Sequence, residues 1–322
     1  KRQGTHLHWH RLLFLRSAVS DAGMAASAPG APRAAKDRTH TTAKETKGDI
    51  DQDGQEQRDR WLSVVARYAA QQVVGVRDCV CTMLQNILIQ MLRTGPLPRH
   101  MAFIMDGNRR WSRMHGMQVR EGHEQGFEAL KRVLEACMAL ERIEMVTVYA
   151  FAIDNFKRDQ HEVDALMRLA KARLLELHGH GEVVSRYSVR VRVMGQRHLL
   201  PHDVQDAIFQ IEEATRYNTG ATLNICMPYA SQNEIAHAAA AASAEAQPIT
   251  RKSLEAHLMV PQSIPVDILV RTSCVSRLSD FMLWQCNEHT QLHFVDQFWP
   301  MFGVRDLIPI LLQYQRFRLF GM

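Results

Sequence analysis

Residues 100–111 read HMAFIMDGNRRW, and this stretch decides the fold. Met101 to Met105 is an unbroken apolar run, the pattern of a strand buried on both faces of a parallel sheet. The run stops at Asp106, and Gly107, Asn108, Arg109, Arg110 and Trp111 follow at once. A buried strand that ends in a carboxylate and two cations delivers those groups to one place.

Working outward, the same alternation repeats. Further strand-like runs lie at 145–151 (MVTVYAF), 188–194, 221–227, 266–270 and 292–295. Between and after them, helical periodicity occupies 123–140, 160–178, 199–217, 229–245, 251–259, 279–288 and 303–317. The pattern predicts an α/β protein, a single domain over 95–322 with a mostly parallel six-stranded sheet flanked by helices. Before it, 59–94 reads as an N-terminal amphipathic helix region with Leu84, Ile87, Leu88, Met91 and Leu92 as one stripe. Such a stripe packs on the domain or lies on a membrane interface. The sequence TGPLPRH (94–100) ends that helix. Residues 1–58 lack hydrophobic period and read as a disordered leader.

Composition narrows the function classes. With 46% hydrophobic residues, the 322-residue chain can bury a full core. It has no run of 18 apolar residues, so no membrane-spanning helix is expected. The formal charge of +5 favours an anionic partner. The six cysteines form no CxxC pair, which argues for reduced thiols over a zinc site or a disulfide framework.

Three polar clusters follow three predicted strands. The first is Asp106 to Trp111, continued by Arg120 and His123 at the start of a helix. The second, after MVTVYA, holds Phe151, Asp154, Asn155, Phe156, Lys157 and Arg158. The third, after VDILV, holds Arg271, Thr272, Ser273, Arg277, Ser279 and Asp280. Ligands of open α/β sheets bind beyond the carboxyl ends of the strands, so neighbouring strands would bring these clusters to one pocket. Arginines are bidentate phosphate donors, and hydroxyls and helix N-termini add anion contacts. A lone carboxylate among the arginines of the first cluster, Asp106, makes sense beside Mg²⁺, which takes one or two carboxylates and bridges phosphate oxygens. The clusters therefore predict a Mg²⁺–diphosphate site with Asp106 as the metal ligand. Gly107 lets backbone approach the ligand closely. An aspartyl phosphohydrolase would want a second Asp where Asn108 stands.

HMAFIMDGNRRW, EGH, TVYAFAIDNFKR, VDILVRTS…RLSDFMLWQ and FWP resemble the cis-prenyltransferases, the family of undecaprenyl and dehydrodolichyl diphosphate synthases, and most resemble its eukaryotic dolichol-type branch. The resemblance implies that isopentenyl diphosphate is condensed onto an allylic diphosphate, first farnesyl diphosphate, to make a long polyprenyl diphosphate. It implies Asp106, Asn108, His123 and Asn155 as catalytic residues. Gly107, Arg109, Arg110, Trp111, Arg120, Phe151, Phe156, Arg158, Arg271, Ser273, Arg277 and Ser279 would bind the two substrates. It implies a dimer, homomeric or with a non-catalytic subunit, lying peripherally on the cytosolic face of the endoplasmic reticulum, with no nucleic-acid partner. Val163, Leu166, Met167, Ala170, Leu174, Leu223 and Ile225 are candidate tunnel walls or simply core.

The chain also departs from the family pattern. Val119 stands where an arginine is usual, Ala152 and Asp154 replace Ser and Glu, and Cys274-Val275 replaces Gly-Glu. Gln291 is nearest the usual second metal-linked Glu, and RFRLFGM does not reproduce the terminal Arg-x-Gly cleanly. These departures frame the alternative reading, a non-catalytic partner subunit of a heteromeric enzyme.

Overall fold

A computed structural model describes residues 61–64, 66–67, 83–84, 87–180, 182–245, 248–260 and 264–321. The predicted leader, 1–58, lies outside the described residues, as do Cys79 and Cys81.

Six strands form one sheet: β1 (His100–Ile104), β2 (Met145–Tyr149), β3 (Arg190–Met194), β4 (Thr222–Cys226), β5 (Ile268–Arg271) and β6 (Gln291–Phe294). Their order is β3-β4-β2-β1-β5-β6, and every pairing is parallel. Each predicted strand is present, with its ends moved by one or two residues. The helices are α1 (Asn108–Met114), α2 (Val119–Ala139), α3 (Gln160–His180), α4 (Glu182–Arg186), α5 (His202–Ala214), α6 (Ser231–Ala244), α7 (Arg251–Ala256) and α8 (Val304–Phe320).

Side chains of β1 alternate between two cores, as a twofold strand period requires. Met101 and Phe103 join Val146, Val148, Ile268 and Val270 on one face, while Ala102 and Ile104 join Leu269 and Tyr229 on the other. Phe103 anchors the larger core, with ring centroids 5.9 Å from Trp299 and 6.3 Å from Phe302.

Two expectations are corrected. Residues 279–288 form turns, not a helix. Ser279, Asp280 and Met282 all have positive φ, which a right-handed helix cannot contain, and Phe281 is stacked on Tyr149 at 4.5 Å instead. Of the two readings of the stripe before the domain, packing on the domain holds only for Leu92. Among the helical residues 87–92, Ile89 and Leu92 enter the core, whereas Ile87, Leu88 and Met91 are exposed, as is Leu84.

Candidate active site

The chain runs from β1 to its neighbour β2, out to the edge strand β3, back to β4 between β2 and β3, and then to β5 and β6 on the other side of β1. In the register, Ile104 faces Tyr149 of β2 and Arg271 of β5. The three cluster-bearing strands are therefore neighbours that end at one level. A cavity of about 770 Å³ opens beyond them.

Gly107 makes the first cluster possible. Its φ of 107° lies in the left-handed region, and a Cβ there would run into Ser273 Oγ and the Phe298 ring. The tight turn sets Asn108 at the first position of α1. Helix α2 then lies close against α1 because Gly122 and Gly126 present no side chain to it. A Cβ at Gly126 would come within 2.5 Å of Asn108 Oδ1. Asn108 Nδ2 sits 3.5 Å from His123 Nδ1. Asn108 Oδ1 and His123 Nε2 are both buried without partners, and both residues line the cavity. Buried polar atoms are seldom left unpaired, so His123 Nε2 is a candidate ligand contact, whereas Asn108 Oδ1 is directed at Gly126 of α2. Burial, helped by Arg158, lowers the His123 pKa to about 4, so the ring is neutral near pH 7.

Asp106 holds the second arrangement together. Its backbone carbonyl accepts from Thr272 Oγ1 and Ser273 Oγ, each at 2.7 Å. Its carboxylate accepts from Arg271 Nη2 at 3.0 Å and lies 3.4 Å from Arg110 Nη2. Arg271 is 4% exposed, donates to Ser279 Oγ at 2.6 Å and binds the Arg277 carbonyl. Burial lowers the Arg271 pKa, although an arginine stays charged. Arg110 also donates to the Ser273 carbonyl at 3.1 Å and lies over the Phe298 ring.

A matching carboxylate serves the second cluster. Glu162 on α3 lies 3.0 Å from Arg158 Nη1 and 3.5 Å from Arg109 Nη1. Arg158 Nη2 donates to Asn155 Oδ1 at 2.7 Å. Thus two carboxylates each bracket two arginines across the pocket mouth.

Most of the sequence-predicted residues meet here. Asp106, Gly107, Asn108, Arg109, Arg110, His123, Phe151, Asn155, Arg158, Arg271, Arg277 and Ser279 line the cavity. Ser273 stands behind the wall on the Asp106 carbonyl, and Phe156 packs edge-on to Phe151 at 4.9 Å. Two residues do not join them. Arg120 is exposed at the start of α2 and pairs with Glu124 at 2.9 Å. Trp111 is buried against His115, with ring centroids 4.4 Å apart, and is not in the cavity wall. Val275 lines the cavity, and neighbouring Cys274 has a φ of 55°, a conformation that glycine adopts without strain.

Sequence reading missed Glu162, Gly126 and Arg173. The signals were present: Glu162 is four residues after Arg158, and Gly122 and Gly126 share one face of a helix.

Beyond the mouth the cavity changes character. Phe127, Leu130, Leu166, Leu169, Ala170, Leu174, Leu177, Ile225 and Met227 line its depth. Of the candidate tunnel residues, Leu166, Ala170, Leu174 and Ile225 reach the cavity, while Val163, Met167 and Leu223 belong to the core. Asp106 is the one carboxylate in the wall, and no cluster of three metal-ligating side chains exists among the described residues.

Comparison with known proteins agrees with this geometry. The undecaprenyl diphosphate synthase family model matches residues 104–321. A dehydrodolichyl diphosphate synthase complex subunit of Schizosaccharomyces pombe is 43% identical over 239 residues, covering 72% of this chain and 90% of the relative. The corresponding Homo sapiens subunit is 38% identical over 247 residues, covering 74% of each chain. Among solved structures, lavandulyl diphosphate synthase from Lavandula x intermedia, in complex with dimethylallyl diphosphate, superposes with a TM-score of 0.64. It shares 31% identity and covers 68% of this chain and 95% of its own. An arginine-rich mouth on a largely apolar cavity, at the switch point of an all-parallel sheet, thus comes with a sequence match over two-thirds of the chain: this protein belongs to the undecaprenyl diphosphate synthase family, the cis-prenyltransferases.

Proposed function

We propose that the chain condenses isopentenyl diphosphate onto an allylic diphosphate, beginning with farnesyl diphosphate, to make a long-chain dehydrodolichyl-type polyprenyl diphosphate for dolichol synthesis and protein glycosylation. The observation that carries this is the polarity of the cavity. Its mouth gathers arginines around Asp106, and its depth is apolar. That is the complement of a ligand with a diphosphate head and a hydrocarbon tail.

In the reaction, the allylic C1–O bond breaks and its electron pair leaves with the diphosphate. The double bond of isopentenyl diphosphate attacks C1, and transfer of a proton from C2 to the released diphosphate restores an alkene. Charge grows on the departing diphosphate, so fixed cations there lower the barrier. Arg109, Arg110 and the neutral His123–Asn108 pair suit the allylic diphosphate. Arg271, Arg277 and Ser279 suit the second substrate. Holding both together removes much of the entropic barrier, about 7–11 kcal/mol in favourable cases. Asp106 would hold a Mg²⁺ ion. A single carboxylate among phosphate-binding groups fits this metal, which completes its shell from phosphate oxygens and water. Bound there, the ion supplies electrostatic stabilisation of the diphosphate. The Asp106 carboxylate is paired with Arg271 and Arg110, so a bound ion would share it with those cations.

The relatives' names as complex subunits support assembly as a dimer, homomeric or with a second subunit. No described helix is long and apolar enough to cross a membrane, and peripheral residence on the cytosolic face of the endoplasmic reticulum is part of the proposal. The partner-only reading is disfavoured by the assembled Asp106–Arg271–Ser279 network. Purified chain supplied with farnesyl diphosphate, labelled isopentenyl diphosphate and Mg²⁺ should incorporate label into chloroform-soluble product. Incorporation only after adding a second subunit would identify the heteromeric form. No incorporation with or without one, from folded protein, overturns the reading.

A further inference from the structure

We infer that Trp299 is a positioning residue for the allylic diphosphate: its indole N–H, bonded to the Gly126 carbonyl, fixes how deep in the site α2 presents His123. The inference rests on the prenyl-transfer reading above and adds to it a residue which that reading leaves without a role.

Trp299 joins two parts of the site that are distant in sequence. It is 1% exposed and lines the cavity. Its main-chain N–H donates to the Asp106 carbonyl at 3.0 Å, and its indole Nε1 donates to the Gly126 carbonyl at 2.7 Å. The backbone of the tryptophan thus holds the tip of β1, and its side chain holds α2. Ring contacts leave the indole little freedom: the Phe302 ring is stacked on it at 5.7 Å, and the Phe103 ring lies 5.9 Å away.

Gly126 is the point on α2 where such a hold matters. His123, Gly126, Phe127 and Leu130 follow the helical repeat and all line the cavity, so they form the face of α2 turned to the ligand. Gly126 faces the Asn108 side chain, which a Cβ there would meet, and its carbonyl meets the indole. The helix is therefore gripped from two sides, about one turn from His123. A mid-helix carbonyl already accepts from the amide four residues on, so the indole is not needed to satisfy it. Nor does every buried indole in this protein find a partner, since Trp111 Nε1 has none. What the Trp299 bond contributes is a location. Arg132 Nη2 donates to the Pro300 carbonyl at 2.9 Å, a second tie between the same segment and α2. Two ties along one helix fix its rotation as well as its depth.

The test uses the full chain in its active assembly. Trp299→Phe removes the N–H and part of the ring, and benzothienylalanine placed at position 299 removes the N–H alone, with sulfur in its place. Phe302→Leu is the stability control, because it loosens the same aromatic cluster while keeping the indole bond. The KM of each substrate is measured for the first condensation, and the His123 ring is titrated by NMR. Loss of the N–H should raise KM for farnesyl diphosphate about tenfold and leave that for isopentenyl diphosphate unchanged. The His123 pKa should rise from about 4 toward 6.5 as the ring gains water, its charged neighbours Arg158, Glu162 and Arg109 being the same in every variant. Phe302→Leu should lower the melting temperature and move neither readout. Position-299 variants that lower the melting temperature alone, or that raise both KM values together, overturn the inference. The titration needs no turnover, so the two claims fail separately. Absence of any condensation by wild type defeats the prenyl-transfer reading, and an unmoved His123 defeats the role of Trp299.

Discussion

Around Asp106, side chains are positioned by other side chains. Arg271 is fixed between the Asp106 carboxylate and Ser279, and Arg158 between Asn155 and Glu162. Around Leu174 and Ile225, in the same cavity, the walls are apolar groups positioned by packing alone. Directional bonds fix where a charge stands to a fraction of an ångström, which transition-state stabilisation requires. Packing fixes only a volume, which is all that a hydrocarbon tail can sense. The two ends should therefore fail differently: substitutions at the mouth should cost rate, and substitutions in the depth should cost stability.

The largest effect should come from Asp106→Asn, which keeps the shape and removes the charge. Turnover should fall about 10³-fold with the melting temperature little changed. Steady-state kinetics beside a calorimetric melt checks both, and a modest loss of rate would remove Asp106 from the chemistry. At the other end, Leu174 is 4% exposed, and Leu174→Ala should destabilise by about 3 kcal/mol in denaturant titration. Its first condensation should be nearly normal, and a large kinetic loss there would erase the distinction.

Acid offers a test confined to the mouth. The His123 pKa is lowered to about 4 from 6.5, so in that window the unfolded chain binds a proton that the folded chain does not. The His123 share of stability should be full above pH 6.5 and fall by about 3 kcal/mol toward pH 4. Buried His100 is lowered similarly, so His123→Gln should remove about half of the acid loss and leave the rest. An unchanged pH profile would place His123 in a wetter setting than this. The smallest effect should be that of Arg277→Ala. Arg277 is exposed, and losing one charge-assisted contact should raise KM for isopentenyl diphosphate about tenfold. If kcat falls instead, Arg277 acts on the transition state.

The sheet was legible because parallel strands buried on both faces must be apolar throughout, as Met101–Ile104 and Ile268–Val270 are. The site was legible because its clusters directly follow those strands. Arg120 was misplaced because a cation at a helix start looks the same whether it faces a pocket or solvent. Only the rotation of α2, set by Gly122 and Gly126 against α1, turns His123 inward and leaves Arg120 outside. The segment 279–288 misled because apolar residues at helical spacing also occur in a packed loop. Nothing local announces that Ser279 and Asp280 adopt positive φ; tertiary contacts impose it.

That loop carries a wider consequence. From 273 to 282, five non-glycine residues (Ser273, Cys274, Ser279, Asp280 and Met282) hold a backbone shape that their own preferences oppose. Distant anchors enforce it: Ser231 N donates to the Asp280 carbonyl at 2.8 Å, and Ser231 Oγ accepts from Leu283 N at 2.9 Å. A fully buried serine at the head of α6, which is not in the cavity wall, is thus part of what aims Arg277 and Ser279. Inheritance of this site accordingly runs through residues that never meet a substrate, and a change at such a remote strut can retune the second-substrate pocket while every residue in its wall stays the same.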